Sequence, residues 1–541
     1  MKSVLKLISM TVLFAVAAVP LRLAAQAGEE RVHYKLIILG TLGGSYANPY
    51  GGVTDRTWLT GDSSLKPDLN GNVTEHAFLW RDGVMEDLGT LGTLGEPGLL
   101  SSIGNMTKNV RGWIVGISQT SIPDPLGEDW VGLTGLPVPF PQNVMVGFLW
   151  KDGVMTALPN LGGNNGSAYG VNNLGQIAGG AETSTMDSNC LPPQQLDFEA
   201  VVWGPTAGEI RMLPPLPALV PGGLPDVVGD ALSINDRGQI VGVSGPQCGP
   251  AFPFAEVTHA VLWQNGKPIY LGGLGGDYAN YAAVINNRGQ IIGNSDLKGD
   301  NVGTFTPFTA PAHGFLWQDG VMTDLGTLPA FNVISSASDI NELGQVVGSS
   351  CDINFNCHGF LWENGVMTDL NALLPPGTAP ALQVISGGGI NDLGEIAVQV
   401  LVSATGETPL ALMIPDPDPA AAQLAFNVVS TDPLPDHVRT ALQQRMKFGP
   451  FGRARSLIPA HSSSPNADAL VSALAGAKPS TSNPPLPSCS PLGGFCGGTG
   501  PSCCKGVCGP FRKCCTKILQ NMLCNSSAEC CVGSCINHKC G

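Results

Sequence analysis

Charged side chains make up only 13% of this 541-residue chain and aromatic ones 6%. So thin a charge complement argues against long solvated helices and coiled coils. Beyond the first residues no apolar run is long enough to cross a bilayer as a helix. Also missing are an HExxH pair, a GxSxG elbow, a phosphate-cradling loop and the spacing of an EF-hand calcium loop. Their absence removes the sequence grounds for a zincin, a nucleophile-elbow hydrolase, a P-loop enzyme or a calcium sensor. No cofactor is expected. Basic residues number 27 against 42 acids, a formal charge of −15, which is the wrong sign for a body that binds nucleic acid.

Glycine is plentiful instead, at 71 residues, and it suits many tight turns between short strands. The N-terminus places Lys2 and Lys6 before an apolar run, Leu7 to Pro20, and then offers Ala25-Gln26-Ala27 as a small-x-small cleavage site. This pattern predicts a secretory signal over 1–27 and a secreted or periplasmic protein with no transmembrane segment after cleavage. An exported chain meets oxidising conditions, so its 16 cysteines are read first as disulfides.

The segment "HGFLWQDGVMTDLGTL" at 313–328 is nearly repeated by "HGFLWENGVMTDLNAL" at 358–373. The same strand occurs as "HAFLW" at His76 to Trp80, "GFLW" at Gly147 to Trp150, "AVVW" at Ala200 to Trp203 and "HAVLW" at His259 to Trp263. Asp-Gly or Asn-Gly follows most copies, at Asp82, Asp152, Asn265, Asp319 and Asn364. These pairs tolerate the positive φ of a two-residue type I′ turn, so each marks a hairpin. Further along, "INxxGQ" at Ile234, Ile285 and Ile340 marks a second turn, and each unit becomes a meander of four short strands. The strand-two element appears first at Tyr34 to Gly44 with no strand before it, and "PLALMIP" at Pro409 to Pro415 has no strand after it. Pairing these orphans closes a ring without a free edge. The expected fold is therefore all-β, a seven-bladed β-propeller over 28–415 closed by its N- and C-terminal strands.

A tryptophan at a fixed place in every unit fits blade-packing core better than sugar stacking. The histidines of that strand, His76, His259, His313 and His358, are expected to satisfy loop carbonyls. The repeated "HAFLW" strand resembles the HAF-repeat family of secreted, mostly bacterial proteins. That resemblance implies an extracellular repeat protein and brings no reaction or ligand with it.

In such a meander the Asp-Gly and Asn-x-x-Gly turns share one face, and the long insertions share the other. The insertions are Ser118 to Gln142, Ala181 to Glu199, Ser244 to Thr258, Ser295 to Ala312 and Ser349 to Cys357, so a site is expected on their face. Cys351 and Cys357 bracket one short insertion, while Cys190 and Cys248 sit at equivalent places in successive units. Both pairs are expected to be disulfides.

Residues 416–488 turn to Pro, Ala and Ser and read as a linker. Twelve cysteines follow, ordered C…C…CC…C…C twice, which defines modules at 489–514 and 515–541. Segments this short need cross-links to fold, and sequence alone leaves 15 pairings open in each. The order resembles the inhibitor cystine knot. Carried over, that resemblance implies Cys489–Cys504, Cys496–Cys508 and Cys503–Cys514, then Cys515–Cys531, Cys524–Cys535 and Cys530–Cys540. The tail holds five basic residues against one acid, and Phe511, Arg512 and Lys513 are its candidate contact. The resulting expectation is a monomeric, non-enzymatic secreted binding protein for an extracellular protein or polysaccharide. The alternatives are a propeller hydrolase or lyase acting on polysaccharide, and a toxin-like or inhibitory tail.

Overall fold

In the computed structural model the residues after each hairpin strand do what their chemistry favours. Asp82 and Gly83 adopt φ of 52° and 83°, and Asn265 and Gly266 adopt 53° and 72°. Positive φ at both central residues is the type I′ geometry whose twist matches the strands it joins. The structure describes residues 33–416 apart from loop stretches, of which 68–73, 94–98, 104–108, 131–142, 249–257 and 299–311 are the longest. It also describes 433–442 without 441, and isolated strand dipeptides from 489 onward.

Each blade is a four-stranded antiparallel meander. In blade four the strands run Val228–Ile234, Ile240–Gly245, His259–Gln264 and Lys267–Tyr270, from the axis outward. Seven such sheets complete the propeller. The strand ahead of the Asn-x-x-Gly turn is innermost, so a structural blade starts two strands later than the unit counted from "HAFLW". Blade seven shows why. Its inner three strands are Leu382–Ile390, Ile396–Val402 and Leu410–Asp416, and its outer strand is His33–Gly40 from the other end of the chain. Leu36 pairs with Met413 and Ile38 with Ala411, and Lys35 reaches Asp416 at 3.2 Å. The two orphan strands of the repeat thus complete each other.

The core lies between blades. Phe78, Phe148, Phe315 and Phe360 from the third strands are fully buried. Each faces a neighbouring glycine: a Cβ on Gly348 would press on the Ser336 carbonyl and the Phe360 ring. The repeated tryptophans join this core. Trp203 and Trp263 are buried, and their indole N–H groups donate to the Pro159 and Pro214 carbonyls, both at 2.7 Å. Burial with a satisfied N–H makes these rings packing elements, as expected of tryptophan inside a protein.

The histidines depart from expectation. Among the described residues only His76 of this set meets a loop carbonyl, that of Leu99 at 3.2 Å. Their shared partner is a carboxylate: Asp87 for His76 at 2.8 Å, Asp324 for His313 at 2.9 Å and Asp369 for His358 at 2.7 Å. The reason is register. The third and fourth strands pair so that the Asp of "VMxDL" comes beside the His of "HAF", and a hydrogen bond to an ionised acceptor is the stronger one. Blade four has Tyr270 at that place, and His259 turns to Asp226 instead, at 2.9 Å.

Both expected body disulfides are present. Cys190–Cys248 joins the insertions of blades three and four across 58 residues, and Cys351–Cys357 closes a short turn in blade six. The stretch 433–442, inside the segment read as a linker, packs on the propeller. Leu434, Val438 and Leu442 are buried against Ile385, Leu401 and the Cys351–Cys357 pair. Leu434 N–H donates to Asn356 Oδ1 at 2.9 Å, and His437 meets the Gly406 carbonyl at 2.9 Å. Among the described residues no helix is long and apolar enough to cross a membrane.

Candidate functional site

The Asn-x-x-Gly turns converge on the ring axis. Asn286 Oδ1 accepts the backbone N–H of Arg288 and of Gln290, both at 3.0 Å. Asn172, Asn235, Asn341 and Asn391 each repeat this double acceptance. Asparagine suits the place because one amide supplies both the acceptor of the turn and a donor on its far side. That donor reaches the next blade. Asn172 Nδ2 bonds the Asn235 carbonyl at 3.0 Å, Asn235 that of Asn286 at 3.0 Å, and Asn286 that of Asn341 at 2.9 Å. Asn341 continues to Asn391 and Asn391 to Thr54, both at 3.0 Å.

A second belt lies one residue further on. The backbone N–H of Asn173 donates to Asp236, that of Asp236 to Asn287, that of Asn287 to Glu342 and that of Glu342 to Asp392, each at 2.8 Å. Asp392 then meets Asp55 at 3.0 Å, and Val110 donates to Asn173 at 2.8 Å. Both belts run the same way round, and both change between blades one and two. Thr54 has no amide to send forward, and Val110 offers no side-chain acceptor.

At that junction the sequence writes "TDRTW" and "NVRGW" where other blades have "NxxGQ" or "NDLGE". Trp58 packs over Gly112 and Trp113 over Gly175, the turn glycines of the following blades. Arg56 and Arg81 stand 5.8 and 5.5 Å from the Trp58 ring centre; Arg111 and Lys151 each stand 5.0 Å from that of Trp113. The seven turns enclose a cavity of about 350 Å³ on the axis, whose wall includes Arg56, Trp58, Asn109, Asp236, Glu342 and Asp392. Its volume falls in the range of small-ligand sites.

The insertion face is braced differently. Glu182, completely buried in blade three, accepts from Asn164 N–H at 3.0 Å, Asn165 N–H at 2.8 Å, Trp130 Nε1 at 2.7 Å and Gln194 Nε2 at 3.0 Å. Glu128, in the insertion of blade two, accepts the backbone N–H of Gln195 at 2.7 Å and of Leu196 at 2.6 Å. Its other oxygen, Oε2, is buried without a partner. Burial foremost, then the nearby charges of Glu182 and Asp124, pushes the Glu128 carboxyl up to about 7 against its backbone hydrogen bonds. Burial and then Asp197 raise Glu199 to about 8. Such values suit proton transfer, but Glu128 and Glu182 lie enclosed behind their own donors. What they do here is fasten the insertion of blade two to blade three. On the strands that lead out from this brace Ile122 and Met186 are exposed.

Of the residues singled out in the sequence, the structure brings together Cys190 with Cys248 and Cys351 with Cys357. Phe511, Arg512 and Lys513, the tail pairings and the signal segment lie outside the described residues. Among the described residues no group of three or more His, Cys, Asp or Glu side chains is placed to hold a metal. The axial cavity was not foreseen. Its signal is the departure of blades one and two from the turn motif, visible once "TDRTW" and "NVRGW" are aligned with "INxxGQ".

No family model matches the sequence, and no curated protein matches it. Among solved structures the chain is similar to an acylaminoacyl peptidase from Pyrococcus horikoshii, with 10% identity and a TM-score of 0.37 over 68% of this chain and 51% of that one. It thus spans about half the length of that peptidase. The β-propeller domain of the Trilobed protease from Pyrococcus furiosus matches at 9% identity and a TM-score of 0.33, over 57% of this chain and 81% of that domain. A gluconolactonase from Xanthomonas campestris matches at 11% and 0.31, over 71% and 90%.

Proposed function

We propose that this is a secreted, non-enzymatic binding protein of the HAF-repeat kind, which presents its insertion face to an extracellular or cell-envelope target, with the basic tail as a second contact. The observation that carries this reading is the cross-bracing of the insertions. Blade two is fastened to blade three through Glu128 and Glu182, and blade three to blade four through Cys190–Cys248. Loops held rigid before contact lose little conformational freedom on binding, which is where preorganised binders gain affinity. Exposed apolar side chains at the rim of these loops, Ile122 and Met186, supply the contact.

The test is binding of the full-length protein to a panel of polysaccharides and cell-envelope fractions. An Ile122→Asp/Met186→Asp double variant is expected to weaken binding by about tenfold or more, the scale of an interface anchor, with its thermal midpoint unchanged. A chain ending at residue 488 separates the tail's share. Unchanged binding in the double variant would remove the insertion face from the reading. Release of fragments from a bound polysaccharide would replace it with a hydrolase or lyase.

A further inference from the structure

The cavity on the opposite face is chemically lopsided. Around most of it the amides are committed to the two belts, so they shape the wall and leave little for a guest. The free chemistry gathers at blades one and two. Arg56, in the cavity wall, is exposed and forms no ion pair among the described residues, although the protein carries a formal charge of −15. Trp58 is half-buried and offers part of an indole to the cavity. A cation held near an aromatic ring and left without a counter-ion is a ready receptor for one anionic group.

The rest of the rim limits what that anion can be. Asp55, Glu342 and Asp392 each accept a backbone N–H through one oxygen and keep the other for a hydroxyl donor. These carboxylates repel a polyphosphate chain and favour a guest that carries no more than one negative charge per ring among several hydroxyl groups. An indole face adds stacking on a ring with apolar C–H edges.

We infer that the axial cavity is a binding site for a carboxylated sugar, a uronate residue of an acidic polysaccharide. Arg56 receives its carboxylate, Trp58 receives its ring, and the rim carboxylates receive its hydroxyls. This site lies across the molecule from the insertion face, so it stands or falls separately from the reading above.

Calorimetric titration of the full-length protein with trigalacturonate, and with neutral trigalactose, tests it. Trigalacturonate is expected to bind saturably and about tenfold or more tighter than trigalactose, and to weaken as salt is raised. Arg56→Gln should weaken it about tenfold or more, the effect of losing hydrogen bonds to a charged group. Trp58→Phe, which keeps a ring over Gly112, should weaken both sugars by a few fold. The Ile122→Asp/Met186→Asp variant should bind trigalacturonate as the parent does. No binding of trigalacturonate, equal affinity for the neutral sugar, or indifference to the arginine change overturns the inference. Should the arginine variant melt early, the salt dependence of the parent protein decides.

Discussion

Asn286 shows how much one side chain carries here: its oxygen holds two backbone N–H groups of its own turn and its nitrogen holds the next blade. Asn286→Ala leaves these buried groups without partners, and urea unfolding should show a loss on the order of 2–4 kcal/mol. Asn286→Asp keeps the acceptor and loses the donor, so it should fall between the two. The buried acids make the second prediction. Glu128 and Glu199 are raised in the folded protein to about 7 and about 8, above their unfolded value near 4.5. The folded state therefore holds its protons more tightly than the unfolded state. Stability is full below about pH 4.5 and declines as pH rises, through about 7 for Glu128 and about 8 for Glu199. Melting followed from pH 4.5 to 8.5 should fall, and Glu128→Gln/Glu199→Gln should flatten the slope. A slope of the same size in that variant would assign it to other groups.

At the level of elements, the two disulfides should differ in worth. A cross-link removes more freedom from the unfolded chain when it closes a longer loop. Cys190–Cys248 spans 58 residues and Cys351–Cys357 only 6, so breaking them should cost about 4 and about 2 kcal/mol in the chain-entropy picture. Cys190→Ala/Cys248→Ala and Cys351→Ala/Cys357→Ala, compared by thermal melting, check the order. The same contrast of distance explains what could be read in advance. The Asp-Gly hairpins, the Asn-x-x-Gly turns and the orphan end strands were legible because each depends on a few neighbouring residues or on counting copies. The belts were not, since Asn172 and its acceptor on Asn235 are 63 residues apart and meet only after seven sheets close. The Glu128 brace is hidden for the same reason: nothing near Glu128 in sequence hints at Gln195 and Leu196. The His-Asp pairs stood in plain sight as "HAFLWxDGVMxD", but their meeting needs strand register as well as the motif.

Across the whole molecule, closure depends on one borrowed strand. Removing residues before 41 takes away His33–Gly40 and leaves Leu410–Asp416 as an open edge. Exposed edges of this kind invite pairing with other chains. The shortened protein should melt earlier and elute as dimers or larger species in size-exclusion chromatography; an unchanged monomer would show that the ring does not need its clasp.

That clasp joins blade seven to the N-terminal strand, whereas the polar belts falter one step later, between blades one and two. Blade one, with strands Gly43–Asn48, Leu59–Leu65, Glu75–Arg81 and Val84–Asp87, therefore lies between two seams. The first is the clasp inside the neighbouring blade seven, with no covalent link, and the second a junction on the far side held by indole stacking in place of amides. Amide hydrogens of Leu59–Leu65 should accordingly exchange with deuterium sooner than those of Ile240–Gly245 in blade four, where both flanks are latched. A ring so uneven opens like a cuff at its buckle, and the buckle is where Trp58 sits.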